Sequence, residues 1–260
     1  MRNLTDKRVI ITGASSGIGR ELARQLAAEG CQLIVNARRK ERLDDLASEI
    51  AASGSSCVVV EGDVTDEAVR GRLLDECQDR FGGLDILINN AGIGAMGRFD
   101  EATPERLRDI FEVNFFAVAE MIRESLPLLK TGNEPMIVNL SSVLGHRGVP
   151  LKSEYCASKF AIHGFSDAIR AELESDGIDL LLVSPSTTDS EFFDAAIDDP
   201  TQRDWKKGGA MSPEKVAAKT IRAIRKRRHE IILTFGGRIL VWLDRFVPGI
   251  ANRIIAKFGQ

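Results

Sequence analysis

The chain has 260 residues, a formal net charge of −3, 43% hydrophobic and 28% charged side chains, four cysteines and three histidines. These are the proportions of a soluble globular protein long enough to bury a sizeable core, with one large α/β domain the leading size prior and two small domains the alternative. Cys31, Cys57, Cys77 and Cys156 never fall at CxxC spacing, and His146, His163 and His229 are widely spread, so a zinc knuckle, a redox pair and a His-rich metal site are all excluded from the expectation, which carries no metal.

The N-terminus, Met1 to Lys7, has no apolar stretch, which argues against a cleaved secretory signal and for reduced thiols in a cytoplasmic setting. Charge is unevenly distributed. From Lys206 to Gln260 there are 13 Lys/Arg against 3 Asp/Glu, whereas the remainder holds 22 against 35. A solvated helix face explains such a basic end, and an anionic partner such as a lipid surface is the alternative. The short basic run near Arg227 is too little to indicate a nucleic-acid partner.

No internal repeat or low-complexity tract interrupts the chain. Short apolar runs rich in β-branched residues occur at Val9–Ile11, Leu33–Val35, Val58–Val60, Leu84–Ile88, Met136–Leu140, Leu180–Val183 and Ile231–Leu233. Their shortness predicts buried parallel strands. Between the first two, Ile18, Leu22 and Leu26 recur at helical spacing, and Leu107, Ile110, Phe111, Phe115 and Val118 trace a second stripe. Strand and helix in alternation imply βαβ units. The expectation is a single α/β domain over residues 1–260, with a doubly wound, mostly parallel seven-stranded sheet and helices on both faces.

Three glycines punctuate the first strand-to-helix turn, in Thr12-Gly13-Ala14-Ser15-Ser16-Gly17-Ile18-Gly19. Glycines allow a tight turn and close approach to a pyrophosphate, whose charge the helix N-terminus stabilises. The second strand ends in Asn36-Ala37-Arg38-Arg39, with no acid to hold a ribose 2′-hydroxyl. A carboxylate there would repel a 2′-phosphate, whereas a guanidinium binds one. Asp63-Val64 follows the third strand, and an Asp there is otherwise a routine turn residue. Asn89-Asn90-Ala91-Gly92 ends the fourth. Asn114 interrupts an apolar stripe, where an amide must find partners. Ser142 closes the fifth strand, thirteen positions before Tyr155, the only tyrosine. On a helix, Tyr155 and Lys159 share a face. A neighbouring ammonium is expected to lower the phenol pKa and fit it for proton transfer near neutral pH.

In this order, Thr12 to Gly19, Asp63-Val64, Asn89 to Gly92, Asn114, Ser142, Tyr155 and Lys159 resemble the short-chain dehydrogenase/reductase family in its compact single-domain branch. The resemblance implies a Rossmann-type fold that moves hydride between NAD(P) and a carbonyl or alcohol. It implies catalytic roles for four residues. Tyr155 is the proton donor, Ser142 orients the carbonyl, Lys159 also holds the nicotinamide ribose, and Asn114 holds a water leading from Lys159 to solvent. It implies cofactor contacts from Gly13, Ser15, Ser16, Gly17, Ile18, Gly19, Asp63, Val64, Asn90, Ala91, Gly92, Tyr155, Lys159, Pro185 and Thr188. In family members that prefer NAD, the carboxylate falls at the position of Ala37. Its absence, with Arg38 and Arg39 following, predicts NADP(H) over NAD(H). Pro185-Ser186-Thr187-Thr188 departs from the family pattern, in which a glycine follows the proline.

Residues 191–211 read as a mobile cap, with Phe192, Phe193, Ala195, Ala196 and Ile197 giving it an apolar side and Asp198-Asp199-Pro200 breaking it, so the expected substrate is apolar or lipid-like. His146 and Arg147 are candidate pocket residues. The amphipathic extension 236–260 has three readings: a helix packed on the cleft, a dimer contact, or peripheral membrane contact through 238–260. Asp244, Arg245, Pro248 and Arg253 argue against a transmembrane helix. The expected function is a carbonyl reductase or alcohol dehydrogenase. A 3-oxoacyl-thioester reductase and a non-catalytic dinucleotide sensor are the alternatives, and the resemblance implies a homodimer or homotetramer.

Overall fold

The computed structural model describes residues 1–192, 197 and 210–256. Among these residues seven strands form: β1 Arg8–Thr12, β2 Gln32–Ala37, β3 Cys57–Glu61, β4 Ile86–Asn89, β5 Met136–Leu140, β6 Asp179–Ser184 and β7 Glu230–Ile232. They make one sheet in the order β3-β2-β1-β4-β5-β6-β7. Every pairing is parallel. Leu84 and Asp85 precede β4 rather than open it. The Asp85 carboxylate there accepts from Arg8 N, Nε and Nη2 at 2.9, 2.9 and 2.6 Å, tying the start of β1 to the start of its neighbour.

The helices are α1 Gly17–Ala28, α2 Lys40–Ala52, α3 Glu67–Phe81, α4 Pro104–Phe111, α5 Ala117–Lys130, α6 Ser153–Leu173, α7 Pro213–Arg225, α8 Phe235–Phe246 and α9 Pro248–Ala256. Side chains alternate across a strand. Val9 and Ile11 of β1 therefore pack with Leu22, Leu26, Leu43, Leu46, Val216 and Ile221, from α1, α2 and α7. Ile10 packs on the other face with Leu73, Met121, Ile122 and Ile162, from α3, α5 and α6. Burial on both faces is why these strands read as continuous apolar runs. Between α4 and α5, Glu112–Phe116 winds as a π-helical turn. The extension divides at Val247-Pro248 into α8 and α9 rather than forming one helix.

The start of α6, next to Tyr155, is held by a buried ion pair. Arg106 Nη2 and Nε lie 2.6 and 3.1 Å from Glu154 Oε1, and both side chains are 3% exposed. Burial pushes the Glu154 carboxyl up, but hydrogen bonds from Ser153 and Arg106 outweigh it and hold the group below its ordinary value. Arg106→Ala leaves a buried carboxylate without its guanidinium and should lower the unfolding free energy by about 3–5 kcal/mol, measured by urea denaturation at pH 7. A depressed carboxylate contributes stability above its unfolded pKa and loses it as pH falls through the folded one. The gap between wild type and variant should therefore shrink below about pH 4.

Candidate active site

The strand order reverses between β1 and β4, and a sheet of this kind binds ligands beyond the carboxyl ends of the strands at that point. The two strand ends are locked together there. Asn90 Nδ2 donates to the carbonyls of Thr12 (2.9 Å) and Gly13 (3.1 Å). Thr12 Oγ1 in turn accepts from the backbone of Asn90 (3.1 Å) and Ala91 (3.0 Å). A Cβ on Gly19 would sit 2.4 Å from both Asn90 Nδ2 and Gly13 O, and one on Gly13, whose φ is +68°, would sit 2.8 Å from Ala91 Cα. No side chain fits either position. Helix α1 starts at Gly17 with no side-chain cap from Ser16 and no acid in its first turn. Its leading N–H groups are left for an anion in the cleft.

A cavity of about 610 Å³ opens above this junction. Every candidate cofactor residue lines it except Gly19, which packs behind the turn. At one end lies Arg39, whose Nη2 donates to Ser15 Oγ (3.0 Å) and Ser16 Oγ (2.8 Å). The Glu191 carboxylate bridges Arg39 Nη1 (3.0 Å) and Arg42 Nη1 (2.6 Å). Arg38, also on the cavity lining, lies 3.7 Å from Asp63 instead. Asp63 Oδ1 also accepts from Thr65 N (3.0 Å) and Oγ1 (2.9 Å), the turn geometry that is its ordinary reading. The glycine-lined turn, the uncapped helix and the paired arginines fit a dinucleotide, whose pyrophosphate the start of α1 would hold and whose adenosine end Asp63 and Arg39 would hold.

At the other end stand Ser142, Tyr155 and Lys159. The Tyr155 phenol stands beside Ser142 on the cavity wall, and Ser142 Oγ accepts from Leu144 N at 3.1 Å. Lys159 Nζ donates to Leu140 O (2.9 Å) and lies 5.7 Å from the Tyr155 ring centroid. The expected depression of the phenol pKa does not occur in this state. Burial pushes Tyr155 well above its usual value, and the Ser142 hydrogen bond offsets only part of that. The same burial brings the Lys159 ammonium down to about 8. Desolvation outweighs the pairing because both groups are enclosed and the cation is turned towards the Leu140 carbonyl. The phenol is thus held protonated, as a proton donor must be.

Asn114 sits in the π turn, behind Gly92, and all its bonds are internal. Oδ1 accepts from Ile93 N (2.9 Å), while Nδ2 donates to Ile93 O and Ser158 Oγ, both at 3.0 Å. It does not line the cavity. Nor do His146 and Arg147, so their candidacy as pocket residues is corrected. Arg147 is drawn away by Asp244 (2.7 Å) and Asn252 (2.6 Å) on the C-terminal helices, and His146 turns towards Ser184 (3.0 Å).

Other contributors only became visible in three dimensions. Phe192 belongs to the apolar side of the expected cap, and what the fold adds is its edge-on contact with Tyr155 at 5.7 Å. Lys152, Gly236, Gly237 and Leu240 line the cavity. Ser186, where the family has glycine, hydrogen-bonds Thr234, which caps α8. The departure therefore joins the loop after β6 to the extension, and Thr234 at the strand-helix boundary was its legible signal. Of the expected cap, Phe193, Ala195, Ala196 and Asp198-Asp199-Pro200 lie outside the described residues, while Ile197 bridges to Ala95.

The fold and the Ser142–Tyr155–Lys159 wall define a dinucleotide-binding oxidoreductase class. The short chain dehydrogenase family model matches residues 7–201. The ketoacyl reductase HetN of Nostoc sp. is 30% identical, covering 100% of this chain and 91% of its own length. A short-chain dehydrogenase/reductase from Burkholderia phymatum in complex with NAD superposes with a TM-score of 0.88 at 26% identity, over 96% of both chains. A Burkholderia cenocepacia short-chain dehydrogenase in complex with NADP gives 0.79 at 29% identity, over 88% of this chain and 96% of that one. The chain belongs to the short-chain dehydrogenase/reductase family.

Burying Lys159 opposes folding while it remains charged. With its pKa brought to about 8 from 10.5, the penalty at pH 7 is about 3 kcal/mol at about 1.4 kcal/mol per pH unit. Lys159→Met should therefore be more stable than wild type to urea at pH 7 without cofactor. The advantage should fade between about pH 8 and 10.5, where the folded protein holds fewer protons than the unfolded chain and wild type gains stability.

Proposed function

We propose that this protein is an NADP(H)-dependent oxidoreductase acting on an apolar carbonyl or alcohol. The observation that carries this is the gathering of buried Ser142, Tyr155 and Lys159 on one wall of a cavity whose far end holds Arg39 over Ser15 and Ser16. When bound, the dinucleotide supplies or accepts the hydride. Ser142 and Tyr155 grip the carbonyl oxygen. Tyr155 gives its proton to that oxygen as negative charge develops, and Lys159 stabilises the phenolate left behind. Asn114 holds the strand-end loop beside Lys159 through Ile93. By analogy with the family, it also leads protons from Lys159 to solvent. Phe192, Val149 and Leu240 supply an apolar lining for the substrate.

The preference for NADP(H) rests on the missing acid at Ala37 and on the Glu191 carboxylate already held by Arg39 and Arg42. An anion is stable at that spot, and a 2′-phosphate would take its place. Reduction of a 3-oxoacyl thioester is the second reading, favoured by the likeness to a ketoacyl reductase. A non-catalytic sensor would have no use for a serine, tyrosine and lysine gathered on one wall.

The test is NADPH oxidation with a panel of ketones and 3-oxoacyl thioesters. Tyr155→Phe should cut kcat by about 10²–10⁴-fold while NADPH still binds in a fluorescence titration. Unimpaired turnover would remove the assignment. Arg39→Ala should raise the KM for NADPH by about ten- to a hundredfold with little change for NADH, and Glu191→Gln should lower it. Equal effects on the two cofactors would defeat the NADP(H) reading.

A cytoplasmic homodimer or homotetramer is the assembly we infer. Leu107, Phe116 and Phe160 are 39%, 49% and 45% exposed on the outer side of the α4–α6 region. Membrane contact through 238–260 is the weaker reading, although Ile239, Trp242 and Phe246 are 42%, 57% and 64% exposed. Part of the basic run is engaged internally, Arg227 with Asp179 (2.8 Å) and Arg225 with Glu29. Among the described residues no helix is long and apolar enough to cross a membrane. Sedimentation should give a dimer or tetramer that Phe116→Glu weakens, and the protein should not pellet with anionic liposomes. Pelleting that is abolished by deleting 238–260 would reverse that order.

A further inference from the structure

We propose that His146, His163 and Glu230, with Asp167 beside them, form a binding site for a divalent transition-metal ion, outside the dinucleotide cavity. The residues are brought together by the fold. His146 ends the short turn that follows Ser142, His163 lies on α6, and Glu230 opens the edge strand β7. One ligand atom from each of the three lies within 4.8 Å of the other two. His146 Nε2 is 3.1 Å and His163 Nε2 4.0 Å from the same oxygen, Glu230 Oε1. His163 Nε2 is 3.4 Å from Asp167 Oδ2. Ligand atoms around a tetrahedral zinc ion stand about 3.3–3.6 Å apart, given bonds of about 2.0–2.2 Å. The observed separations bracket that spacing, so modest side-chain rotations centre an ion.

The donor set selects the class of ion. Two imidazoles with one or two carboxylates suit zinc, nickel, cobalt or copper, whereas calcium and magnesium take all-oxygen shells. The imidazoles meet edge to face rather than stack, with centroids 4.3 Å apart at 78°, and both Nε2 atoms approach the one Glu230 oxygen. Glu230 is held below the ordinary carboxylate range, chiefly by its hydrogen bond from His146, and is ionised at neutral pH. Asp167 accepts from Arg170 through Oδ1 at 2.7 Å, which leaves Oδ2 facing His163. An entry path exists because the Glu230 and Asp167 side chains are 38% and 53% exposed. His146 Nε2 lies within hydrogen-bonding distance of both Glu230 Oε1 (3.1 Å) and Ser184 Oγ (3.0 Å). Coordination replaces that arrangement.

None of these four residues lines the dinucleotide cavity. Yet His146 comes four residues after Ser142 and His163 four residues after Lys159. A bound ion therefore staples the serine turn to the helix that carries the tyrosine and lysine.

The tag-free full chain is titrated with zinc chloride by calorimetry and with Co²⁺ by visible absorption. One zinc should bind per chain, raise the melting temperature, and give way to cobalt with the intense d–d bands of a four- or five-coordinate nitrogen/oxygen site. The double variant His146→Ala/His163→Ala should lose the bands and the thermal shift. Glu230→Gln, which keeps the shape of the side chain, should weaken zinc by at least about tenfold while leaving the circular dichroism spectrum and NADPH binding intact. Should the double variant misfold, Glu230→Gln alone decides. Zinc binding no tighter in wild type than in Glu230→Gln, or a cobalt spectrum dominated by thiolate charge transfer, overturns the proposal.

Discussion

Where β1 and β4 end side by side, the Asn90 amide reaches into the first turn and holds the carbonyls of Thr12 and Gly13, while Thr12 returns two hydrogen bonds. The approach is so close that Gly13 and Gly19 have no room for a Cβ. The rest of the site depends on this contact. It sets the separation of the two strand ends and aims the uncapped start of α1 into the cleft. It also brings Ala91 and Gly92 to the cavity wall beside Lys159. A side chain at either glycine would push the halves of the sheet apart at the point where a ligand must lie against both.

The wall of Ser142, Tyr155 and Lys159 is built at the expense of stability. Tyr155 and Lys159 are both buried, and neither finds an oppositely charged partner among the described residues. Burial moves the phenol up and the ammonium down, each against its charged form. The surroundings hold this arrangement in place. Arg106 and Glu154 anchor the first turn of α6, and the π turn around Asn114 holds the loop after β4 against the helix through Ile93. A π turn within a long helix is a feature found at functional sites, and here it directs an amide that a regular turn would aim elsewhere.

The C-terminal region is integrated with the site rather than appended to it. Ser186 and Thr234 join the loop after β6 to α8, and Gly236, Gly237 and Leu240 of that helix face the cavity. Arg147, just beyond the short turn Val143–Gly145, is held by Asp244 and Asn252 of α8 and α9. The excess of positive charge in this part of the chain looks in sequence like a free basic surface, but Arg225 and Arg227 are already paired with Glu29, Glu134 and Asp179 of the acidic body. The charge asymmetry is in part an internal complementarity.

The sequence by itself determined the seven strands and their parallel pairing, and it pointed to the Thr12–Gly19 turn, Ser142, Tyr155 and Lys159. These are local facts: short runs apolar on both faces, glycine at a crowded turn and i,i+4 spacing on a helix each need only a short window. Tertiary structure decided which arginine lies over Ser15 and Ser16, for Arg38 and Arg39 are indistinguishable as letters until the fold gives Arg39 those hydroxyls and pairs Arg38 with Asp63. It turned His146 and Arg147 away from the pocket and gathered His146, His163 and Glu230 from distant segments. It also reversed the expected direction of the Tyr155 pKa. Burial and partner geometry depend on every element packed around a group, and no spacing along the chain encodes the dielectric that results.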